Sequence, residues 1–352
     1  MSSVKSLLEQ AIPSVFPGAV VGTFSTQPNS KTWWAGTLGG EDDPTPVREN
    51  TMYDVASITK SIPTSSLALK LWEMGKLDLD EPIIHFFPHI QGEHAAKVTI
   101  RHLLHNTAYF PQRLSRLKNL SPEELHDFLV HVPVVGPPGE VFSYSNTSSI
   151  LLTWIMKSIT EKTLEELSQQ YFFDPLGMVD STFQLKPVDL IRTAPSEKDI
   201  WREKDLRGEV HDESAWILSS TMGAVGSAGL FSTVPDLIRF GQMLLQDGQW
   251  REQTIFQKET VDLLKTADTL PNGDLVCLGW EWRPWVWAGD DISQTSIGKT
   301  GFTGCSFILD WERKQGIVIL SNATYPSRPE NREALQAFRR EITSLIFQSR
   351  QV

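Results

Sequence analysis

The sequence predicts an α+β fold: an antiparallel sheet assembled from both ends of the chain, flanked by helices, with a mostly helical part between. Three observations lead there. Strand-like runs rich in β-branched and aromatic residues occupy residues 18–38 and return at 278–321. The stretch between them carries helix-period apolar residues and helix-start signals. No internal repeat or low-complexity linker divides the chain. The 352 residues therefore read as a single unit, with about 1–75 and 220–352 forming the α/β part and 76–219 the helical part.

The elements follow in order. Residues 2–11 predict a short amphipathic helix. Residues 18–26 and 31–38 predict two strands separated by the turn cluster Gln27-Pro28-Asn29-Ser30. Residues 57–75 predict a helix, with Leu67, Leu71 and Met74 on one face and Gly75 as its stop. Pro63 lies inside it and predicts a kink or an irregular first turn. Segment 98–135 reads as helical and polar, with Ser121-Pro122-Glu123-Glu124 as a capping box. Helices are expected at 147–160 and 163–173, then an irregular stretch at 183–227. Thr233-Val234-Pro235-Asp236 caps a helix running to about 247. Strands are expected at 278–287, 294–300, 304–310 and 316–321, and a closing helix at about 329–347.

Composition excludes several classes. Hydrophobic residues make up 40% and charged residues 21%, ordinary values for a globular chain. The net charge of −11, with no Lys/Arg run, argues against nucleic acid as a partner. No apolar stretch approaches the roughly 18 residues of a membrane span. The first residues hold one Lys and no run long enough for an export signal, which predicts a cytoplasmic protein. Two cysteines, Cys277 and Cys305, are too few for a disulfide framework and read as buried thiols. The histidines lack metal-ligand spacing and no Gly-rich phosphate loop occurs, so neither metal nor cofactor is expected.

Three short motifs carry chemistry. Ser57-Ile58-Thr59-Lys60 places a hydroxyl and an amine on one helix face, where the amine can reach the hydroxyl. The same spacing occurs at Ser115/Lys118 and Ser296/Lys299, but only Ser57 opens a long apolar helix. Tyr144-Ser145-Asn146 follows in a loop: a phenol near cations can relay a proton, and Asn146 can bond a substrate amide. Lys299-Thr300-Gly301-Phe302 reads as an edge strand entering a turn. Lys299 can supply the cation that tunes the tyrosine, and the Phe302 N–H is a candidate oxyanion donor. Two further segments stand out. Gly208–Glu213 gathers His211, Asp212 and Glu213, which fit either a cleft wall or a solvated loop. Trp280–Trp287 holds four tryptophans, which fit either a cleft floor or a packed strand pair.

Ser-x-x-Lys, Tyr-x-Asn and Lys-Thr-Gly in this order resemble the penicillin-recognising serine hydrolases. The likeness is nearest to the branch of class C β-lactamases, D-Ala-D-Ala carboxypeptidases and related esterases. It extends to Met52-Tyr53-Asp54-Val55-Ala56-Ser57, Gly75–Asp80, Asp174–Met178 and Gly229–Thr233, and spans about residues 10–345. The resemblance implies a β-lactamase/transpeptidase-like fold and an acyl-enzyme on Ser57. It implies proton transfer shared by Lys60 and Tyr144, with the choice of base between them left open. Lys299 would serve the tyrosine and a substrate carboxylate. Asn146, Thr300, Gly301 and Phe302 would hold the substrate, with the Ser57 and Phe302 N–H groups as oxyanion hole. Relatives often carry Leu-Leu-x-His-x-Ser-Gly, where this chain has Leu103–Ala108. Many esterase-like relatives carry His at position 299, so Lys299 leans toward substrates bearing a carboxylate. The expected partner is a small-molecule or peptide substrate: an ester, a β-lactam or a D-amino-acid peptide. A non-turnover penicillin-binding sensor on the same fold is the alternative, against which the intact Ser57, Lys60, Tyr144 and Lys299 set speaks.

Overall fold

The computed structural model describes residues 3–27, 29–111, 113–329 and 332–349. A six-stranded antiparallel sheet joins the two chain ends. Its strands are β1 (Gly18–Ser25), β2 (Lys31–Gly36), β3 (Glu281–Trp282), β4 (Ser296–Thr300), β5 (Ser306–Asp310) and β6 (Gln315–Ser321). Their spatial order is β3-β4-β5-β6-β1-β2. The chain ends meet where β1 pairs with β6, with Val20 opposite Leu320 and Gly22 opposite Val318. Both strands are buried along their length, which explains why they read as apolar runs rather than alternating ones.

Each sheet face carries its own core. On one, Val20, Phe24, Phe307, Val318 and Leu320 pack with the helix Val234–Leu245. On the other, Ala19, Val21, Ile308, Ile317 and Ile319 pack under the helices Val4–Gln10 and Glu333–Gln348. The first of these two helices lies within its predicted range and the second ends one residue beyond it; Pro28 of the predicted turn, residue 2 and residues 330–331 lie outside the described residues.

The middle of the chain contributes the helices Pro122–Val130, Asn146–Thr160 and Glu213–Met222. The Ser121 hydroxyl accepts from the Glu124 N–H while the Glu124 carboxylate accepts from the Ser121 N–H, the reciprocal cap expected there. Among the described residues no helix is long and apolar enough to cross a membrane.

Several predicted elements change. Among the described residues, segment 98–135 is helical only at Ile100–His105, Leu114–Leu117 and Pro122–Val130, and the stretch 183–227, expected to be irregular, holds the helix Glu213–Met222. The 57–75 helix is a 3₁₀ turn at Ala56–Lys60, a wide turn at Ser61–Ser65 and an α-helix only at Ser66–Glu73. Ile62, forced out of helical geometry by the following proline, has φ −119° and ψ 107°. The strand expected at 278–287 shrinks to Glu281–Trp282, because Arg283 turns to φ 41° and Pro284 opens a short helical turn. β3 pairs with Ile297 and Gly298 of β4, its break at Arg283 falls opposite Ser296, and no β3 residue pairs with Lys299.

His105, at the end of the helix Ile100–His105, is buried with Nε2 3.5 Å from Asp268. Burial outweighs that carboxylate and pushes the imidazole down to about 4. The unfolded chain takes up this proton near pH 6.5 and the folded protein resists it until about 4. Stability from this group is therefore full above about 6.5 and lost as pH falls toward 4. Melting curves across that window are expected to drop by a few degrees more for the native protein than for His105→Gln.

Candidate active site

The site is organised by Asp54. This buried carboxylate accepts the N–H of Ala56 at 2.8 Å and the N–H of His211 at 2.7 Å. Its backbone carbonyl accepts the Thr303 hydroxyl at 2.7 Å. Three distant segments thus converge on one residue. Burial pushes the Asp54 carboxyl up, against the hydrogen bonds from His211 and Ala56. Held by Asp54, Ala56 adopts φ 49°, a left-handed conformation that costs a residue with a Cβ about 1–2 kcal/mol.

The next turn is 3₁₀, with three residues per turn, so residues i and i+3 eclipse. Ser57 and Lys60 therefore stand one above the other, and Lys60 Nζ lies 3.1 Å from Ser57 Oγ. An α-turn would offset them. Lys60 is buried and also donates to Asn146 Oδ1 at 2.8 Å and to the Ser227 carbonyl at 2.6 Å. Those two partners only accept. A neutral amine satisfies both with its hydrogens and turns its lone pair to Ser57; an ammonium donates to all three. The nitrogen need not move when a proton passes between it and the serine.

Tyr144 and Asn146 sit at the start of the helix Asn146–Thr160, where the Ser145 hydroxyl caps the Thr147 N–H. The Tyr144 ring has Lys60 Nζ 5.0 Å and Lys299 Nζ 4.7 Å from its centroid. The residue is 46% exposed to the cavity, yet the phenol oxygen is crowded, with Ser57 and Lys60 beside it. Crowding raises the phenol pKa; the two ammonium groups and the polar contacts to Ser57 and Lys60 overcome this and leave it below its ordinary value. Lys299 is itself buried. Burial opposes its charge, but Tyr144 and Glu281 more than compensate and hold its pKa up. Glu281 Oε1 lies 3.3 Å from Lys299 Nζ, and Glu281 Oε2 accepts the Trp287 indole N–H at 2.7 Å.

Thr300 ends β4, half-buried opposite Ser306. At Gly301 a Cβ would stand 2.3 Å from the Val55 carbonyl oxygen, so only glycine lets this strand approach the Ser57 turn. The Phe302 ring is stacked 5.6 Å from His211 and covered by the Arg332 guanidinium at 3.7 Å. Arg332 also donates to the Phe302 carbonyl at 2.7 Å, which fixes the loop. Among the described residues the N–H groups of Ser57 and Phe302 have no acceptor.

Ser57, Tyr144, Asn146 and Phe302 line a cavity of about 720 Å³. One wall is apolar, with Tyr109, Phe110, Leu114, Val135 and Phe302. The other holds His211, Asp212, Glu213 and Arg328. His211 Nε2 is 2.7 Å from Glu197, whose carboxylate accepts from Arg328 Nε at 2.8 and 3.0 Å; Arg328 also donates to Glu213 at 2.8 Å. So His211, Asp212 and Glu213 of the 208–213 segment form a cleft wall, while the four tryptophans of 280–287 are not among the lining residues. Trp280 packs on Phe307 instead. Among the described residues no group of three His, Cys, Asp or Glu is placed to hold a metal ion. Cys277 and Cys305 are buried free thiols that burial pushes up to about 12 and about 11.

The structure brings together Ser57, Lys60, Tyr144, Asn146, Lys299, Gly301 and Phe302. Asn146 is tied into the protein while lining the cavity: its oxygen accepts from Lys60 at 2.8 Å, and its amide hydrogens go to Asp212 at 2.9 Å and Ser214 at 3.3 Å. Three contributors escaped the sequence: Glu281, the Ser227 carbonyl and the link through Asp212. A backbone carbonyl leaves no side-chain signal. Glu281 could have been found only from the register that sets it opposite Gly298.

A serine and a lysine eclipsed on one turn, with a tyrosine between two ammonium groups in a cleft beside an antiparallel sheet, define a class: this is a serine hydrolase. The family model described as Beta-lactamase matches residues 8–340, and the chain belongs to that family. It is 27% identical over 362 residues to the N-acetylmuramyl-L-alanine amidase of Bacillus subtilis, covering 92% of this chain and 80% of the relative. Two solved structures share the fold. The Beta-Lactamase/D-Alanine Carboxypeptidase from Pseudomonas syringae superposes with TM-score 0.75 at 19% identity, covering 100% of each chain. EstCE1, a hydrolase with promiscuous acyltransferase activity, gives TM-score 0.76 at 18% identity, covering 97% of each chain.

Proposed function

We propose that the protein hydrolyses carboxylic esters, or activated amides, through an acyl-enzyme on Ser57, with an apolar acyl group as the preferred substrate portion. The observation that carries this reading is the Ser57–Lys60–Tyr144 constellation opening onto a cavity with one apolar wall. Ser57 Oγ attacks the substrate carbonyl and its proton passes to the Lys60/Tyr144 pair. The oxyanion rests on the Ser57 and Phe302 N–H groups, which are free to donate among the described residues. The same proton returns to the departing alcohol or amine. Water then attacks the acyl-serine, giving up its proton to the pair, and Ser57 is restored.

A second reading, hydrolysis of D-alanyl peptides or β-lactams, is favoured by Lys299 and by the Pseudomonas syringae protein's name. Two observations count against it here. Glu281 already offsets the Lys299 charge, and Arg328 is spent on Glu197 and Glu213. A carboxylate-bearing substrate would meet Lys299 and Arg328 already paired with carboxylates, with Arg113 as a further cation on the cavity lining.

The test compares p-nitrophenyl esters of increasing acyl length with a D-Ala-D-Ala peptide and a penicillin, with intact mass measured after penicillin exposure. Brisk ester turnover that rises with acyl length is expected. A persistent penicilloyl adduct with slow ester turnover would overturn the ester reading in favour of a penicillin-binding peptidase or sensor. Glu281→Gln is expected to raise the kcat/KM ratio of a carboxylate-bearing to a neutral ester by about five-fold, equivalent to about 1 kcal/mol. The two substrates assayed in one titration check it.

A further inference from the structure

We infer that Asp212 is a positioning residue for the Ser57/Lys60 pair, acting through Asn146, and that its negative charge sets the protonation balance of Lys60 and Tyr144. The inference rests on the acyl-enzyme reading above.

The geometry is a relay. Asp212 Oδ2 accepts from Asn146 Nδ2 at 2.9 Å, and Asn146 Oδ1 accepts from Lys60 Nζ at 2.8 Å. A side-chain amide has two ends, and nothing in its shape says which faces the lysine. Asp212 decides: a carboxylate can only accept, so it takes the NH₂ end and turns the oxygen to Lys60. With the amide reversed, an NH₂ would face the lysine, and Lys60 would lose one of its two fixed acceptors. It could then no longer keep its remaining position for Ser57.

Asp212 is held in turn. It caps the helix Glu213–Met222, with Oδ1 accepting from the Ala215 N–H at 2.9 Å and the Ser214 hydroxyl at 2.6 Å. Arg202 anchors the residues before it, donating to the carbonyls of Val210 at 2.7 Å and His211 at 3.0 Å. Burial works against the Asp212 charge, but Lys60 and the hydrogen bonds from Ser214, Ala215 and Asn146 keep its carboxyl below the usual range. The other charged groups facing this relay are few. Asp54 and Arg202 feel Asp212 from the sides, His211 and Glu213 flank it in the chain, and Tyr144 lies over Lys60 with Lys299 beyond.

The charge argument has one sign. A negative charge near the pair favours the Lys60 ammonium and disfavours the Tyr144 phenolate. Removing it makes both groups give up their protons more readily. Whichever group sets the limb of the pH profile, that limb must move to lower pH.

The experiment uses the full chain and a p-nitrophenyl ester, with kcat/KM measured across pH. Asn serves as well as Asp at a helix N-cap, so Asp212→Asn spares the cap, removes the charge and turns an NH₂ toward Asn146. It is expected to lower kcat by about 10- to 100-fold and to move the limb down by about 0.5–1 unit, with melting little changed. Asp212→Glu, which keeps the charge, is expected to hold the limb at its native position. Asp212→Ser, which keeps a capping oxygen without the charge, must move the limb the same way, which keeps the test open should Asp212→Asn fold poorly. A limb that stays put in folded Asp212→Ser or Asp212→Asn overturns the inference and leaves Asp212 a helix cap. Ser57→Ala is assayed alongside. Hydrolysis surviving in Ser57→Ala would sink the acyl-enzyme reading itself; a dead Ser57→Ala with an unmoved limb sinks only the role of Asp212.

Discussion

Ser57→Ala is expected to abolish turnover, with a loss of at least about 10⁴-fold in kcat, while the protein stays folded. The hydroxyl is the group on the Ser57 turn that can form a covalent bond to an acyl carbon, and Lys60 and Tyr144 are aligned on it rather than on open solvent. The fold does not depend on it. Asp54 holds the turn through the Ala56 N–H, and Lys60 keeps its bonds to Asn146 and Ser227 when the serine oxygen goes. Alanine also suits a 3₁₀ turn. The melting temperature is therefore expected within a few degrees of native, and mass spectrometry should find no acyl adduct from a slow ester substrate. Retained turnover would mean another nucleophile, and the constellation would lose its meaning.

Tyr144→Phe is expected to lower kcat by about 10²- to 10⁴-fold, the usual range for losing a proton-transfer group. The ring remains, so the contacts to Lys60 and Lys299 persist in their apolar part; what goes is the phenol oxygen. That oxygen is the group whose pKa the two ammonium ions pull below its ordinary value. A phenol lowered in this way is present as phenolate in rising amount at higher pH, so the native rate should climb with pH until the phenol is titrated. Tyr144→Phe should flatten that rise. Rate profiles of the two proteins on one ester substrate check both statements. If Lys60 alone moves the proton, the variant keeps a near-native rate and slope.

Part of the site is legible in the residues alone. Ser57 and Lys60 are three residues apart, and a helical turn of either kind puts such residues on one side. What the spacing leaves open is the kind of turn; the left-handed Ala56 and the proline at 63 make it 3₁₀, which brings the two groups into register. The paired strands β1 and β6 are legible because buried strands concentrate apolar residues. β3 is overestimated because alternating tryptophans mimic a strand, and the break at Arg283 and Pro284 depends on backbone geometry that composition reads poorly.

Residue types and short spacings alone dictate which chemistry the chain can perform: a hydroxyl with an amine on one turn, a phenol, and a second amine beside a glycine. These are local properties, and they survive without a fold. How the groups are tuned is a matter of tertiary packing. Lys60 meets Asn146 across 86 residues and Ser227 across 167, and Asn146 meets Asp212 across 66. Glu281 meets Lys299 because β3 and β4 lie side by side. Such contacts follow from how sheet and helices pack, and no local pattern encodes them. Because charges act through space over a few ångströms, the packing that brings Lys60 and Lys299 to Tyr144 lowers its pKa, and the same packing fixes the direction in which Asn146 points.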